Sequence, residues 1–288
     1  MSPGPNLFVV GAAKAGTTSL WWYLDKHPEI LMSKVKEPHF FSRGGMHRVA
    51  TPVKDPERYA QLFARGAGRR YRGEASPSYL ADPETPERIR TAVPDARIVV
   101  SLRDPVERAW SNYLMAVRNG YERRSFEEAL EREFADPEPA VFVQPPPYFL
   151  RGIYAEPVRL YLDAFDGAAL VLFFEEFVAD VRGTMARIFE WLGLDPSPAE
   201  SLVEEPVFPY QVPRNVLARV VLRTPGSHRV GDAVFRGRAR AWAQLALLRF
   251  EKPELDPGTR GMLRERYAPH DDRLRALLGR PLPWDGRP

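Results

Sequence analysis

The sequence contains no cysteine, so disulfides, thiolate nucleophiles and cysteine-ligated zinc are excluded. Its five histidines, His27, His39, His47, His228 and His270, show no metal-ligand spacing, and no metal is expected. No apolar run approaches the ~20 residues of a membrane span, and the segment before Leu7 lacks the basic start and long apolar centre of a secretion signal. The expectation is a cytoplasmic protein without a membrane span. Lysine is also scarce: six of the 41 basic residues are lysines, and four of them, Lys14, Lys26, Lys34 and Lys36, fall in the first 36 positions. The net charge is only +3, with arginine and glutamate interspersed rather than gathered in blocks. That distribution argues against nucleic acid as a partner and suits a small anionic ligand.

What is present points to α/β architecture. At 288 residues and 44% hydrophobic content the chain can bury a large core. Leu7–Val10, Arg97–Leu102 and Ala169–Phe174 read as buried parallel strands, each leading through polar or glycine punctuation into a helical pattern. A shorter strand is expected at Arg72–Glu74. Helices are expected over Thr17–Lys26, near Pro56–Ala64, over Val178–Leu192, and over Leu263–Leu278 with an interruption near Pro269. Ala135–Tyr148, with its proline runs, reads as an exposed loop near the substrate. Neither an internal repeat nor a linker is evident, so residues 1–288 read as a single domain, with 195–288 mostly helical and irregular.

Two segments carry chemistry. The first is Val10-Gly11-Ala-Ala-Lys14-Ala15-Gly16-Thr17-Thr18-Ser19, a strand end, a small-residue loop and a helix start. Such a turn presents backbone N–H groups and a positive helix end to a phosphate. It departs from the nucleoside-triphosphate loop of a kinase or NTPase, because Thr17 stands where the lysine after the second glycine belongs. It also departs from the dinucleotide fingerprint, since Ala13 replaces the middle glycine. The second segment is Arg103-Asp104-Pro105-Val-Glu107-Arg108-Ala-Trp110-Ser111-Asn112-Tyr113. Asp104 before Pro105 is a helix N-cap followed by a proline at the first helical position, which fixes Arg103 at the strand's end. An arginine fork with a hydroxyl about two turns later, at Ser111, suits a terminal phosphate monoester.

Together these segments resemble the donor site of sulfotransferases that use PAPS (3′-phosphoadenosine 5′-phosphosulfate) and release PAP (3′-phosphoadenosine 5′-phosphate). The resemblance extends to Glu37-Pro38-His39-Phe40-Phe41, Glu74-Ala75-Ser76-Pro77-Ser78-Tyr79, Arg151-Gly152-Ile153-Tyr154 and the closing Leu277–Trp284, and is closest to bacterial members and the heparan-type Golgi enzymes. It implies a P-loop-like three-layer α/β fold, with a central parallel sheet of about four to five strands flanked by helices. It assigns Lys14 to the bridging oxygen, and the amides of the loop, Ala15 and Gly16 included, with Thr17, Thr18 and Ser19 to the 5′-phosphate. Arg103 and Ser111 fall to the 3′-phosphate, Tyr154 to a donor or substrate contact, and Glu37 to the base, with His39 as the other candidate. Glu74 is either a second acid in the cleft or a strand-end charge. Ala75 departs from relatives that carry a lysine there. The acceptor implied is a small-molecule or carbohydrate hydroxyl, selected by loops at 42–56 and 135–150. A basic segment at Arg249–Lys252 is the candidate for covering the donor. A PAP-binding module without chemistry is the other reading compatible with the donor residues. Neither the identity of the acceptor nor the oligomeric state is encoded legibly.

Overall fold

The computed structural model describes residues 4–42, 52–136, 147–202, 252–286 and the backbone of 212–213 and 248–249. Its centre is a sheet of five parallel strands: β1 (Leu7–Gly11), β2 (Ile30–Met32), β3 (Tyr71–Ala75), β4 (Arg97–Leu102) and β5 (Ala169–Phe173), in the order β2-β3-β1-β4-β5. Every residue of β1 is buried. Its period of two sends Phe8 and Val10 to one apolar layer and Leu7 and Val9 to the other, which is why the strand reads as an unbroken hydrophobic run.

Helices cover both faces. On the Phe8 side lie α2 (Pro56–Gln61), α3 (Thr85–Ala92) and α6 (Ala155–Ala164), through Tyr59, Ile89, Val158 and Tyr161. On the Leu7 side lie α1 (Thr17–Leu24), α7 (Phe174–Ala179) and α8 (Val181–Trp191), through Leu20, Tyr23, Phe177, Ile188 and Phe189. A third apolar cluster joins α4 (Pro105–Asn119), α5 (Phe126–Ala135) and the long α9 (Pro257–Leu278). All five strands run the same way, so the loops leaving β1, β3 and β4 collect at one sheet edge, where such sheets place ligands.

Several elements differ from their sequence reading. The three-residue β2 has no counterpart among the expected strands, because Ile30-Leu-Met32 is too short to show a period. Val178–Leu192 is divided between α7 and α8 at Asp180, whose side chain accepts from Gly183 N at 2.8 Å and starts the second helix. The C-terminal helix is longer and uninterrupted: Asp256 caps it, accepting from Thr259 N at 2.8 Å, and it continues through Pro269. Burial of Leu263, Tyr267 and Leu274 along it offsets the backbone bond that Pro269 removes. Of the stretch read as exposed loop, Ala135 closes α5 and Tyr148 is buried in the third cluster; residues 137–146 lie outside the described residues. So do 43–51 of the other loop expected to choose the acceptor.

Candidate active site

The loop between β1 and α1 is shaped by close approach. A Cβ on Gly11 would lie 2.5 Å from Leu80 Cβ, and one on Gly16 2.8 Å from the Phe174 ring, with Gly16 also at φ +77°. Only glycine fits at either position. The neighbouring strand pins the loop from beneath, since Ala12 N donates to the Ser101 carbonyl at 2.6 Å and Ser101 Oγ donates to the Ala15 carbonyl at 2.6 Å. Gly16 caps α1 without a side-chain acceptor, and the first turn holds no acidic residue. The N–H groups of Thr17, Thr18 and Ser19 therefore begin the helix without a neutralising carboxylate, the condition under which a helix start favours an anion.

Lys14 sits in this loop with φ +73°. Burial, and then the positive charges of Arg118 and Arg103, push its ammonium down to about 8, while Glu37 acts in the opposite sense. Lys14 Nζ contacts Met115 Sδ at 3.6 Å, so the side of α4 bearing Met115 faces the loop. Ser111 stands four residues earlier and so on that same side; it is partly buried.

Arg103 joins the two segments. Its Nη1 donates to the Lys14 carbonyl at 3.0 Å, its guanidinium lies 4.7 Å over the Phe174 ring, and its buried Nε has no hydrogen-bond partner. Burial lowers its proton affinity. Tyr154, itself buried, donates to the Arg103 carbonyl at 2.9 Å; this places its hydroxyl on the backbone that carries the arginine. The helix behind Arg103 is anchored by Asp104, which caps α4 and is gripped at both oxygens by Arg264 of α9, at 2.9 and 2.6 Å. Lys252, from the segment expected to cover the donor, is paired with Glu107, which also meets Arg260 at 2.9 Å and Arg103 at 3.9 Å.

Glu37 and His39 follow β2, both with left-handed backbone, at φ +59° and +51°. Lys36 Nζ pairs with Glu37 Oε1, and His39 Nε2 lies 3.5 Å from Glu37 Oε2. Burial alone would raise the Glu37 carboxyl, but His39 and Lys36 outweigh it and bring it to about 2. The imidazole is oriented from its far side by Ser78 Oγ, 2.8 Å from Nδ1, and its backbone N–H donates to Ser76 Oγ at 3.1 Å.

Glu74 is fully buried and accepts hydrogen bonds from Tyr59, from Tyr79 at 2.8 Å and from Ser76 at 2.6 Å. Burial raises its proton affinity. It stands at the end of β3 as an internal hub beneath the His39 segment, and not as a second acid open to the cleft. Ala75 is completely buried, paired with Val9 across the sheet. The sequence reading missed Ser101, Ser76, Ser78 and the Asp104–Arg264 pair. For Ser101 a signal exists, the single hydroxyl in the apolar strand Arg97–Leu102.

A parallel five-strand sheet with helices on both faces, carrying an anion-favouring loop, a strand-end arginine and a nearby carboxylate, defines an α/β protein. Residues 56–198 match the model of the Sulfotransferase family. The crystal structure of a sulfotransferase from Alicyclobacillus acidocaldarius is similar with a TM-score of 0.71 and 31% identity, over 97% of this chain and 98% of that one. Heparan sulfate glucosamine 3-O-sulfotransferase 3A1 of Mus musculus is 26% identical over 98% of this chain and 65% of its own length. Carbohydrate sulfotransferase 15 of Homo sapiens is 29% identical over 67% of this chain and 44% of its own. The chain thus spans less than two thirds of the length of these two curated relatives. It belongs to the sulfotransferase family. Among the described residues no helix is long and apolar enough to cross a membrane, and no group of three or more His, Cys, Asp or Glu could hold a metal.

Proposed function

We propose that this protein transfers the sulfuryl group of PAPS to a hydroxyl of a small-molecule or carbohydrate acceptor. One observation carries the reading: cationic groups left without full compensation stand at two points, Lys14 with the α1 N-terminus and Arg103, beside one ionised carboxylate, Glu37. The unpartnered Arg103 Nε and the uncharged first turn of α1 fit a nucleotide with phosphates at both ends. Bound PAPS supplies an activated sulfur, at which an S–O bond to the acceptor forms as the S–O bond to the bridging oxygen breaks.

The side chains have distinct tasks in that exchange. Lys14 offsets negative charge on the bridging oxygen, and the amides from Ala15 and Gly16 onward, with Thr17, Thr18 and Ser19, hold the 5′-phosphate. Arg103 and Ser111 hold the 3′-phosphate, and Tyr154 positions Arg103 through its carbonyl. Glu37 receives the acceptor proton. His39, locked by Ser78, keeps one Glu37 oxygen oriented and is the second candidate for the base. A carboxylate at about 2 is ionised but weakly basic, so displacement of Lys36 from Glu37 by an acceptor would strengthen it. Lys36 also contributes charge at Lys14, which makes it the substitute for the lysine missing at Ala75. Lys252, of the segment expected to cover the donor, would have to leave Glu107 to meet the 3′-phosphate.

Calorimetry tests this directly. PAP should bind, Arg103→Ala should weaken it at least ~10-fold, and ATP with Mg²⁺ should bind worse than PAP. Preference for ATP would overturn the reading. PAP binding without turnover on a broad acceptor panel would leave only a binding module.

A further inference from the structure

A cavity of about 270 Å³ opens beside the loop, between Ala12 and Ala13, the segment after β3, and the start of α6. Its walls are almost wholly apolar, with Pro77, Leu80, Ala81, Ile153 and Pro157 among them. Two charged side chains line it, Arg108 and Arg151. Tyr154 is shared with the donor grip, but none of Lys14, Thr17, Thr18, Ser19, Arg103 or Ser111 contributes to its lining, so the cavity adjoins that grip without coinciding with it. Ala13 is bonded to Lys14, about 3.8 Å away between Cα atoms; a molecule in the cavity lies alongside the reacting group.

Arg108 is the unusual member. It is 0% exposed, its Nη2 donates to the Tyr148 carbonyl, and its Nε and Nη1 have no partner. No carboxylate forms an ion pair with it among the described residues. One turn along α4, the fully buried Asn112 leaves both amide atoms unpartnered. The carboxylate that offsets Arg151 is Glu133, and its oxygens accept from the backbone N–H groups of Tyr148, Phe149 and Leu150 at 2.6, 3.0 and 2.8 Å. Burial, and then repulsion from Arg108, brings Arg151 down to about 10. A buried guanidinium with free N–H groups and no counter-charge is costly unless a ligand or water completes it.

We propose that this cavity is the acceptor subsite, and that the acceptor is a compact hydroxyl-bearing molecule with an apolar body and a carboxylate received by Arg108. The inference rests on the sulfuryl-transfer reading and narrows it. The volume is near the lower end of ligand pockets, about 300–1,000 Å³, and the apolar walls offer no row of hydrogen-bonding groups for a sugar chain. The carboxylate would anchor one end of the molecule, leaving the hydroxyl to face Lys14 and Glu37.

The test uses the full chain saturated with PAP, titrated with 4-hydroxyphenylpropionate, 10-hydroxydecanoate and the methyl ester of each, followed by turnover of the same compounds with PAPS. At least one acid should bind and react ~10-fold or more better than its ester. Arg108→Gln should erase that preference. Ala81→Phe, which fills the cavity from outside the loop and α4, should weaken acid and ester alike by ~10-fold or more while PAP affinity changes less than ~3-fold. Should Arg108→Gln fail to fold, the Ala81→Phe comparison stands alone. Equal handling of acids and esters, with water alone completing Arg108, or indifference to Ala81→Phe, overturns the inference while leaving sulfuryl transfer intact. Failure of the wild type to bind PAP overturns the transfer reading first, and this one with it.

Discussion

The proposed donor half and the proposed acceptor half of the site treat charge in opposite ways. Around Lys14 the protein gathers like charges, Arg103, Arg118 and Lys36, and leaves the start of α1 without an acid. Around Glu37 it gathers opposite and hydrogen-bonding partners, Lys36 and His39, which hold the carboxyl at about 2. A lysine whose hold on its proton is weakened and a glutamate kept ionised by its partners are in neighbouring loops. On the proposed reading the uncompensated region awaits an anionic ligand from outside, while the compensated one is assembled before any ligand arrives. Glu74 shows that compensation alone is not function: its three donors satisfy it entirely within the core.

The sharpest way to break this contrast is Glu37→Gln. Removing the proposed base should lower kcat by ~100- to 10,000-fold, with PAP affinity by calorimetry within ~3-fold of wild type; unchanged turnover at saturation would move the base to His39 or elsewhere. Next comes pH. Glu37 remains ionised far into acid, so kcat/KM for PAPS should hold from neutrality to well below pH 4.5. On the alkaline side it should fall as Lys14 loses its proton near its value of about 8, and a Lys14→Arg variant should not show that limb.

Stability supplies a smaller effect of opposite sign. Lys14 has a folded value below its unfolded 10.5, so the unfolded chain binds the extra proton between about 8 and 10.5, and stability of the ligand-free protein should rise with pH across that window. Lys14→Met should accordingly stabilise the ligand-free protein at pH 7 by roughly 1–3 kcal/mol in denaturant titration, while removing turnover. Loss of stability in that variant would mean that the lysine is structurally compensated after all. A stability change of the same size but opposite sign is expected at Glu74→Gln, which turns one acceptor into a donor facing hydroxyls and should cost ~1–3 kcal/mol with little effect on PAP binding.

The donor half was the legible half because its signals are local. A strand, a glycine loop and a helix start lie within thirteen residues from Leu7 to Ser19, and Asp104-Pro105 announces its own helix. Parallel strands and flanking helices followed from the same grammar. What stayed hidden depends on residues far apart: Ser101 with Ala15 across 86 positions, and Asp104 with Arg264 across 160. No spacing rule links such pairs. Glu74 was ambiguous because burial decides between its readings, and its phenolic donor Tyr59 comes from α2. The continuity of α9 was obscured by Pro269, whose local penalty is overridden by packing that a window of sequence does not contain.

Arg103 has one further consequence. The same guanidinium that is proposed to recognise the far end of the nucleotide also ties down the Lys14 carbonyl, while Tyr154 fixes its backbone. The two ends of the proposed donor grip would therefore share one component. Arg103→Lys should behave as a near-complete loss rather than a mild one, because an ammonium lacks the planar fork needed to serve both partners at once. A variant that kept PAP affinity within ~3-fold would show that the halves are independent. If the coupling holds, a nucleotide lacking its 3′-phosphate is refused twice, once for the missing contact and once because the loop meant for its sulfate is left untensioned.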